Sequence, residues 1–214
     1  MVFAVRATLF DLDGVLVDST ADVRRAWIEW AETKGLDPEA VVDAAHGRRT
    51  VETIALVAPD LDPVEEARML EDAEVGNTAA TRPMKGAKEI LAALAPERWA
   101  IVTSGTRPLA EGRIRGAGLP LPEVLITAGD VDQGKPDPEG YLAAAQALGA
   151  RPADCVVIED TPAGIEATRR GGMAAIGVAS TYPEAALAAA DLVVPSLGAL
   201  HFSSSEDGLL RIGT

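Results

Sequence analysis

An α/β fold, with a parallel sheet flanked by helices and an α-helical insertion after the first strand, is predicted by three observations. From Gly86 onward, short apolar runs alternate with amphipathic helical stretches joined by short connections. Such alternation specifies parallel strands with right-handed crossover helices. Helix punctuation falls between the runs, as at Thr161-Pro162, Gly149 and Gly171-Gly172. The stretch from Thr20 to Arg82 breaks the rhythm, with helical patterns and no strand.

Taken in order, the expected strands are Val2–Phe10, Trp99–Thr103, Val124–Thr127, Cys155–Glu159, Ala174–Val178 and Asp191–Val194, each a short apolar run. Within the insertion, helices are expected over Ala21–Lys34, Thr50–Val57 and Pro63–Asn77. Pro83 disfavours continued helix at Arg82 and marks the return. The later helices are Gly86–Leu94, Thr106–Gly116, Pro138–Leu148, Pro162–Arg170 and Pro183–Ala190. A hydroxyl cap followed by proline at the first helical position makes Thr161-Pro162 a clear start. The tail His201–Thr214, with Ser203-Ser204-Ser205, is expected to be weakly ordered.

Composition narrows the function. The 214 residues can bury one good core and a smaller second lobe. A net charge of −14 and 4% aromatic residues argue against nucleic-acid binding, because polyanions are repelled and no stacking platform exists. No apolar stretch is long enough to span a membrane, and no signal peptide is expected. The single cysteine, Cys155, has no partner within the chain, which fits a reducing cytoplasm.

Four strand ends carry polar groups suited to phosphate chemistry. After the first apolar run come Asp11-Leu12-Asp13-Gly14-Val15-Leu16-Val17-Asp18-Ser19, two acids feeding a tight turn at the sheet's carboxyl edge. On its own an Asp-x-Asp also reads as a capping or solvent-facing turn. Thr103-Ser104-Gly105-Thr106 brings hydroxyls and free backbone N–H groups to a strand–helix junction, where a phosphate or a plain cap would suit. Gln133-Gly134-Lys135-Pro136-Asp137-Pro138 places a lysine on a rigid turn in a chain with 15 arginines and 4 lysines, read either as a wanted point charge or as a solvated surface lysine. Glu159-Asp160 ends a very apolar strand, where two carboxylates are costly without a counter-ion and a hard divalent cation would resolve the cost.

Together, in this order and over nearly the whole chain, these segments resemble the four motifs of the haloacid-dehalogenase superfamily of aspartate-nucleophile phosphohydrolases. The resemblance implies a Rossmann-like core over 1–17 and 83–214 and a helical cap over 18–82. It implies Asp11 as nucleophile, Asp13 as acid and base, and Thr103 and Lys135 as phosphate-holding residues. It also implies Mg²⁺ held by Asp11, the Asp13 carbonyl, Glu159 and Asp160. The dehalogenase branch lacks the second acid, so Asp13 argues against it.

Within the insertion, Ala45-His46-Gly47-Arg48-Arg49-Thr50 reads either as a solvated loop or as a group of cations for a small polyol or sugar phosphate. With Ala58-Pro59-Asp60 and Thr103 through Arg107, it is similar to the glycerol-phosphatase and deoxysugar-phosphatase group. That similarity implies His46, Arg48, Arg49, Ser104 and Gly105 as substrate-binding residues. A monomer acting on a small phosphorylated sugar or polyol is the expectation. A β-phosphoglucomutase-like phosphomutase and a non-catalytic phosphate-binding relative are the alternatives.

Overall fold

The computed structural model describes residues 1–204 and 208–214. Its central sheet runs β6-β5-β2-β7-β8-β9. These strands are β2 (Ala7–Phe10), β5 (Trp99–Val102), β6 (Val124–Ile126), β7 (Cys155–Glu159), β8 (Ala174–Val178) and β9 (Leu192–Val194). Every pairing is parallel, with Thr8 opposite Trp99 on one side and Val156 on the other. Strands β2, β5 and β7 are buried at every residue, which explains their unbroken apolar runs. One face packs Phe10, Ile101, Ile114 and Ile158 under α5 (Ala87–Ala93) and α6 (Arg107–Gly116). The other packs Leu9, Val157, Tyr141 and Ala167 under α7 (Glu139–Ala147) and α8 (Pro162–Arg170). At α8 the Thr161 hydroxyl accepts from the Gly164 N–H at 3.1 Å, with Pro162 at the first helical position.

The chain leaves the sheet through the short strand β3 (Val17–Asp18) and returns through β4 (Arg82–Pro83), and the two pair antiparallel, Asp18 opposite Arg82. Between them lie α1 (Thr20–Lys34), α2 (Pro38–Ala45), α3 (Thr50–Val57) and α4 (Pro63–Val75). They bury a hydrophobic cluster of their own, centred on Trp27, Trp30, Val41, Ile54 and Leu70. Trp27 and Trp30 meet edge to face at 5.6 Å, a favoured aromatic geometry.

Four expectations need correction. The run Val2–Phe10 is two strands: β1 (Val2–Val5) pairs antiparallel with β11 (Leu210–Gly213), and the chain turns at Arg6 into β2. The tail is not weakly ordered, because β10 (His201–Ser204) and β11 complete that three-stranded sheet. Leu210 and Ile212, two residues apart, bury on one face of β11, and Phe202 stacks on Phe10. Ser205, also assigned to the tail, lies outside the described residues. Helix α2 was missed, although Asp37 caps it with bonds from Glu39 and Ala40 and Pro38 follows. Over Pro183–Ala190 only a short 3₁₀ turn forms, because Leu187 is the one buried side chain there and gives no apolar stripe to anchor a helix. Among the described residues, no helix is long and apolar enough to cross a membrane.

Candidate active site

Parallel strands that end together bring their next residues together, and this sheet does so at its carboxyl edge. Asp11 follows β2, Thr103 follows β5, Lys135 sits in the loop between β6 and α7, and Glu159 and Asp160 finish β7. All five are buried. Lys135 Nζ donates to Asp11 Oδ1 at 2.5 Å and to Glu159 Oε1 at 2.7 Å. Tyr141 donates its hydroxyl to the same Glu159 oxygen at 3.0 Å, and its ring lies 5.2 Å from the ammonium. The other Glu159 oxygen accepts from the Asp160 and Thr161 amides and the Thr161 hydroxyl.

Glu159 is thus saturated with five donors, and it fixes Lys135 from below. Asp160 is the opposite case, since its Oδ1 is buried with no partner. Carboxylate oxygens of Asp11, Glu159 and Asp160 lie within 4.8 Å of one another. Burial raises the Asp11 carboxyl to about 7, with Lys135 opposing and Glu159 and Asp13 adding to the rise. Burial and then the charges of Glu159 and Asp11 push Asp160 well above the ordinary carboxylate range. Burial disfavours the Lys135 charge, but Asp11 and Glu159 outweigh it and hold the ammonium well above its ordinary value. The cluster has more negative charge than its one lysine neutralises. An orphaned carboxylate oxygen among three acids fits a hard divalent cation with oxygen ligands.

Gly14 makes this closeness possible. Its φ of +78° suits the turn after Asp13, and a Cβ there would strike the Asp160 carboxylate. Asp13 itself turns away from the lysine. Its Oδ1 accepts from Ser19 Oγ at 2.5 Å and from Arg113 Nη1 at 2.9 Å.

Above the cluster lies a cavity of about 90 Å³ between core and cap, whose walls include Asp11, Asp13, Trp27, His46, Arg48 and Ser104. Thr103 and Gly105 also line it. Thr103 Oγ1 accepts from the Gly105 N–H at 3.2 Å, and Ser104 Oγ donates to the Gly47 carbonyl at 2.9 Å. His46 meets Tyr182 edge to face, and burial lowers its pKa, which favours the neutral ring. Arg48 reaches this space without an ion-pair partner among the described residues.

Arg49 does not reach it. Its guanidinium is taken up by Glu52 and by the carbonyls of Ala128, Val131 and Asp132, and Glu52 accepts from the Gly134 N–H at 3.0 Å. The expected substrate contact is instead a clasp between α3 and the core. Sequence reading also missed Tyr141 and Arg113, the latter donating through Nη2 to Glu74 Oε1 of α4 at 3.2 Å. For Arg113 a signal existed: it stands at a buried position of α6 with Leu109, Ala110 and Ile114, where a lone charge calls for a partner. Tyr141, on the face of a helix covering the sheet, carries no such mark.

Known proteins agree with this layout. Residues 5–172 match the family described as haloacid dehalogenase-like hydrolase. The chain is 40% identical to hexitol phosphatase A of Escherichia coli (strain K12), covering 94% of this chain and 95% of that one. It is 38% identical to glycerol-1-phosphate phosphohydrolase 2 of Saccharomyces cerevisiae, covering 83% and 76%. A crystal structure of a hydrolase from Pseudomonas syringae superposes with a TM-score of 0.80 at 28% identity, covering 90% and 94%. With three polar strand ends and the Lys135 loop converging as they do and such relatives along nearly its whole length, the chain belongs to the haloacid dehalogenase-like hydrolase family.

Proposed function

We propose that this protein is a Mg²⁺-dependent phosphatase of small sugar or polyol phosphate monoesters, working as a monomer in the cytoplasm through an aspartyl-phosphate on Asp11. The buried Asp11–Lys135–Glu159–Asp160 assembly beneath a small capped cavity carries the reading. Relatives named for hexitol phosphate and glycerol-1-phosphate point to the substrate class.

Asp11, Asp160 and the Asp13 carbonyl would hold the cation, with Glu159 beside them. When bound, Mg²⁺ supplies charge neutralisation for the phosphoryl oxygens and lets two carboxylates coexist with a dianionic substrate. Lys135 holds one oxygen of Asp11 and leaves the other to attack phosphorus. The P–O bond to the sugar or polyol breaks, and Asp13 delivers a proton to the departing oxygen. Asp13, now a base, takes a proton from water, which attacks phosphorus and frees Asp11 and inorganic phosphate. Thr103 and the Ser104–Gly105 backbone receive the remaining phosphoryl oxygens at a strand–helix junction. Residues 18–82 act as the lid that closes over the substrate, with His46 and Arg48 facing it.

The test is phosphate release from glycerol, hexitol and hexose phosphates with Mg²⁺. Wild type should release phosphate, and Asp11→Asn should lose at least ~10³-fold in kcat, the scale on which a removed nucleophile registers. Conversion of a sugar phosphate to an isomer without phosphate release would overturn hydrolysis, and an active Asp11→Asn would overturn the nucleophile.

A further inference from the structure

We propose that Arg113 is the positioning residue for Asp13, and that it ties the orientation of this carboxyl to the cap through Glu74. The inference rests on the phosphatase reading above and deepens it. Arg113 projects from α6 with its side chain 7% exposed, between one acid of the core and one of the cap. Nη1 donates to Asp13 Oδ1 at 2.9 Å, and Nη2 donates to Glu74 Oε1 at 3.2 Å. Glu74 stands in the last turn of α4, so a single planar fork spans the two parts of the molecule.

The two donors on Asp13 fall on the same oxygen. Ser19 and Arg113 both bond Oδ1, and among the described residues nothing bonds Oδ2. A carboxyl anchored this way keeps Oδ1 engaged and leaves Oδ2 as the oxygen free to face the leaving group. Without Arg113, the carboxyl could rotate about χ2 and present either oxygen. The close approach of α6 to the returning chain keeps the fork in place. Gly112 would put a Cβ 2.7 Å from Thr78 Oγ1, and Gly116 would put one into the Thr78 carbonyl, so any larger side chain would push the two apart.

A structural role and a positioning role separate by leaving group. A 4-nitrophenolate departs without a proton, whereas a polyol alkoxide needs one from Asp13. The ratio kcat/KM reports the step up to aspartyl-phosphate formation, where that proton is delivered. In Arg113→Met, kcat/KM for glycerol phosphate should fall ~10²-fold while that for 4-nitrophenyl phosphate falls less than about tenfold. Arg113→Lys, which keeps the charge but cannot fork, should recover part of the glycerol phosphate loss. Glu74→Gln should show the same selective loss at a few-fold, and it carries the test if Arg113→Met does not fold. Equal losses for both esters in Arg113→Lys and Glu74→Gln overturn the assignment. Wild type inactive on both esters overturns the phosphatase reading itself, and the role of Arg113 with it.

Discussion

The carboxyl edge of the sheet and the cap above it are held by different means. At the edge, one lysine bonds two buried carboxylates, a tyrosine, two amides and a threonine hydroxyl join it in saturating Glu159, and all these groups lie out of solvent. The cap has its own apolar cluster; besides the close packing of α6 on Thr78, polar links join it to the core among the described residues, including Arg49 to three carbonyls, Glu52 to Gly134, Ser104 to Gly47 and Arg113 to Glu74. Buried charge networks tolerate little change, because a lost partner leaves a desolvated charge behind. Of the links above, Arg49–Glu52 keeps partial access to water and can be broken at smaller cost, whereas the Arg113–Glu74 pair is nearly as covered as the edge itself. The two regions should therefore respond to mutation in different quantities, stability and kcat below, KM above.

Lys135→Met tests the contrast hardest. It leaves three clustered carboxylates without their cation and should cost about 3–5 kcal/mol, seen as a fall of about 10 °C or more in Tm, together with loss of phosphate release. A Tm unchanged in metal-free buffer would show that the edge is not held by that charge. Next is Gly164→Ala, on α8 directly behind the Glu159 carboxylate. The added Cβ would sit within the Glu159 carboxylate, so overpacking of about 1–3 kcal/mol and a lower kcat are expected. Thermal unfolding and steady-state kinetics on that variant check both.

Above the edge, Arg49→Ala releases the clasp. KM for the polyol phosphate should rise about tenfold, with kcat within about threefold and Tm nearly unchanged, since the links lost are partly exposed. A fall in kcat with KM untouched would place Arg49 with the edge after all. The smallest effect is in pH. Burial would raise the Glu52 carboxyl, but Arg49 and the Gly134 N–H outweigh it and hold it below its ordinary 4.5. A depressed acid stabilises the folded state above its ordinary value and loses that contribution as pH falls through the depressed one. Below pH 4.5, KM should therefore rise more steeply in wild type than in Glu52→Gln, as initial rates across an acidic series would show.

The contrast also separates what was legible in the sequence. Strand ends were readable because an acid or hydroxyl closing an apolar run is conspicuous, and Asp11, Thr103, Glu159 and Asp160 all close one. Lys135 stood out by its rarity. Partner choice was not readable. His46-Gly47-Arg48-Arg49 offers two adjacent arginines, and only the course of α3 decides that one faces the cavity and the other the core carbonyls. Glu159 and Asp160 are likewise neighbours of the same charge, yet the backbone turn at Thr161 saturates one and leaves an oxygen of the other without a partner. In the tail, serines masked a period-two pair, Leu210 and Ile212, that completes a sheet.

The neck formed by Asp18 opposite Arg82 bears on how such proteins diversify. Exit and entry points paired across one antiparallel step are closer than the ends of most loops. A segment attached there can be lengthened, exchanged or reduced to a turn without stretching the sheet beneath it. The chemistry at the strand ends and the vocabulary of substrates can then evolve as separable modules, joined by one two-stranded seam.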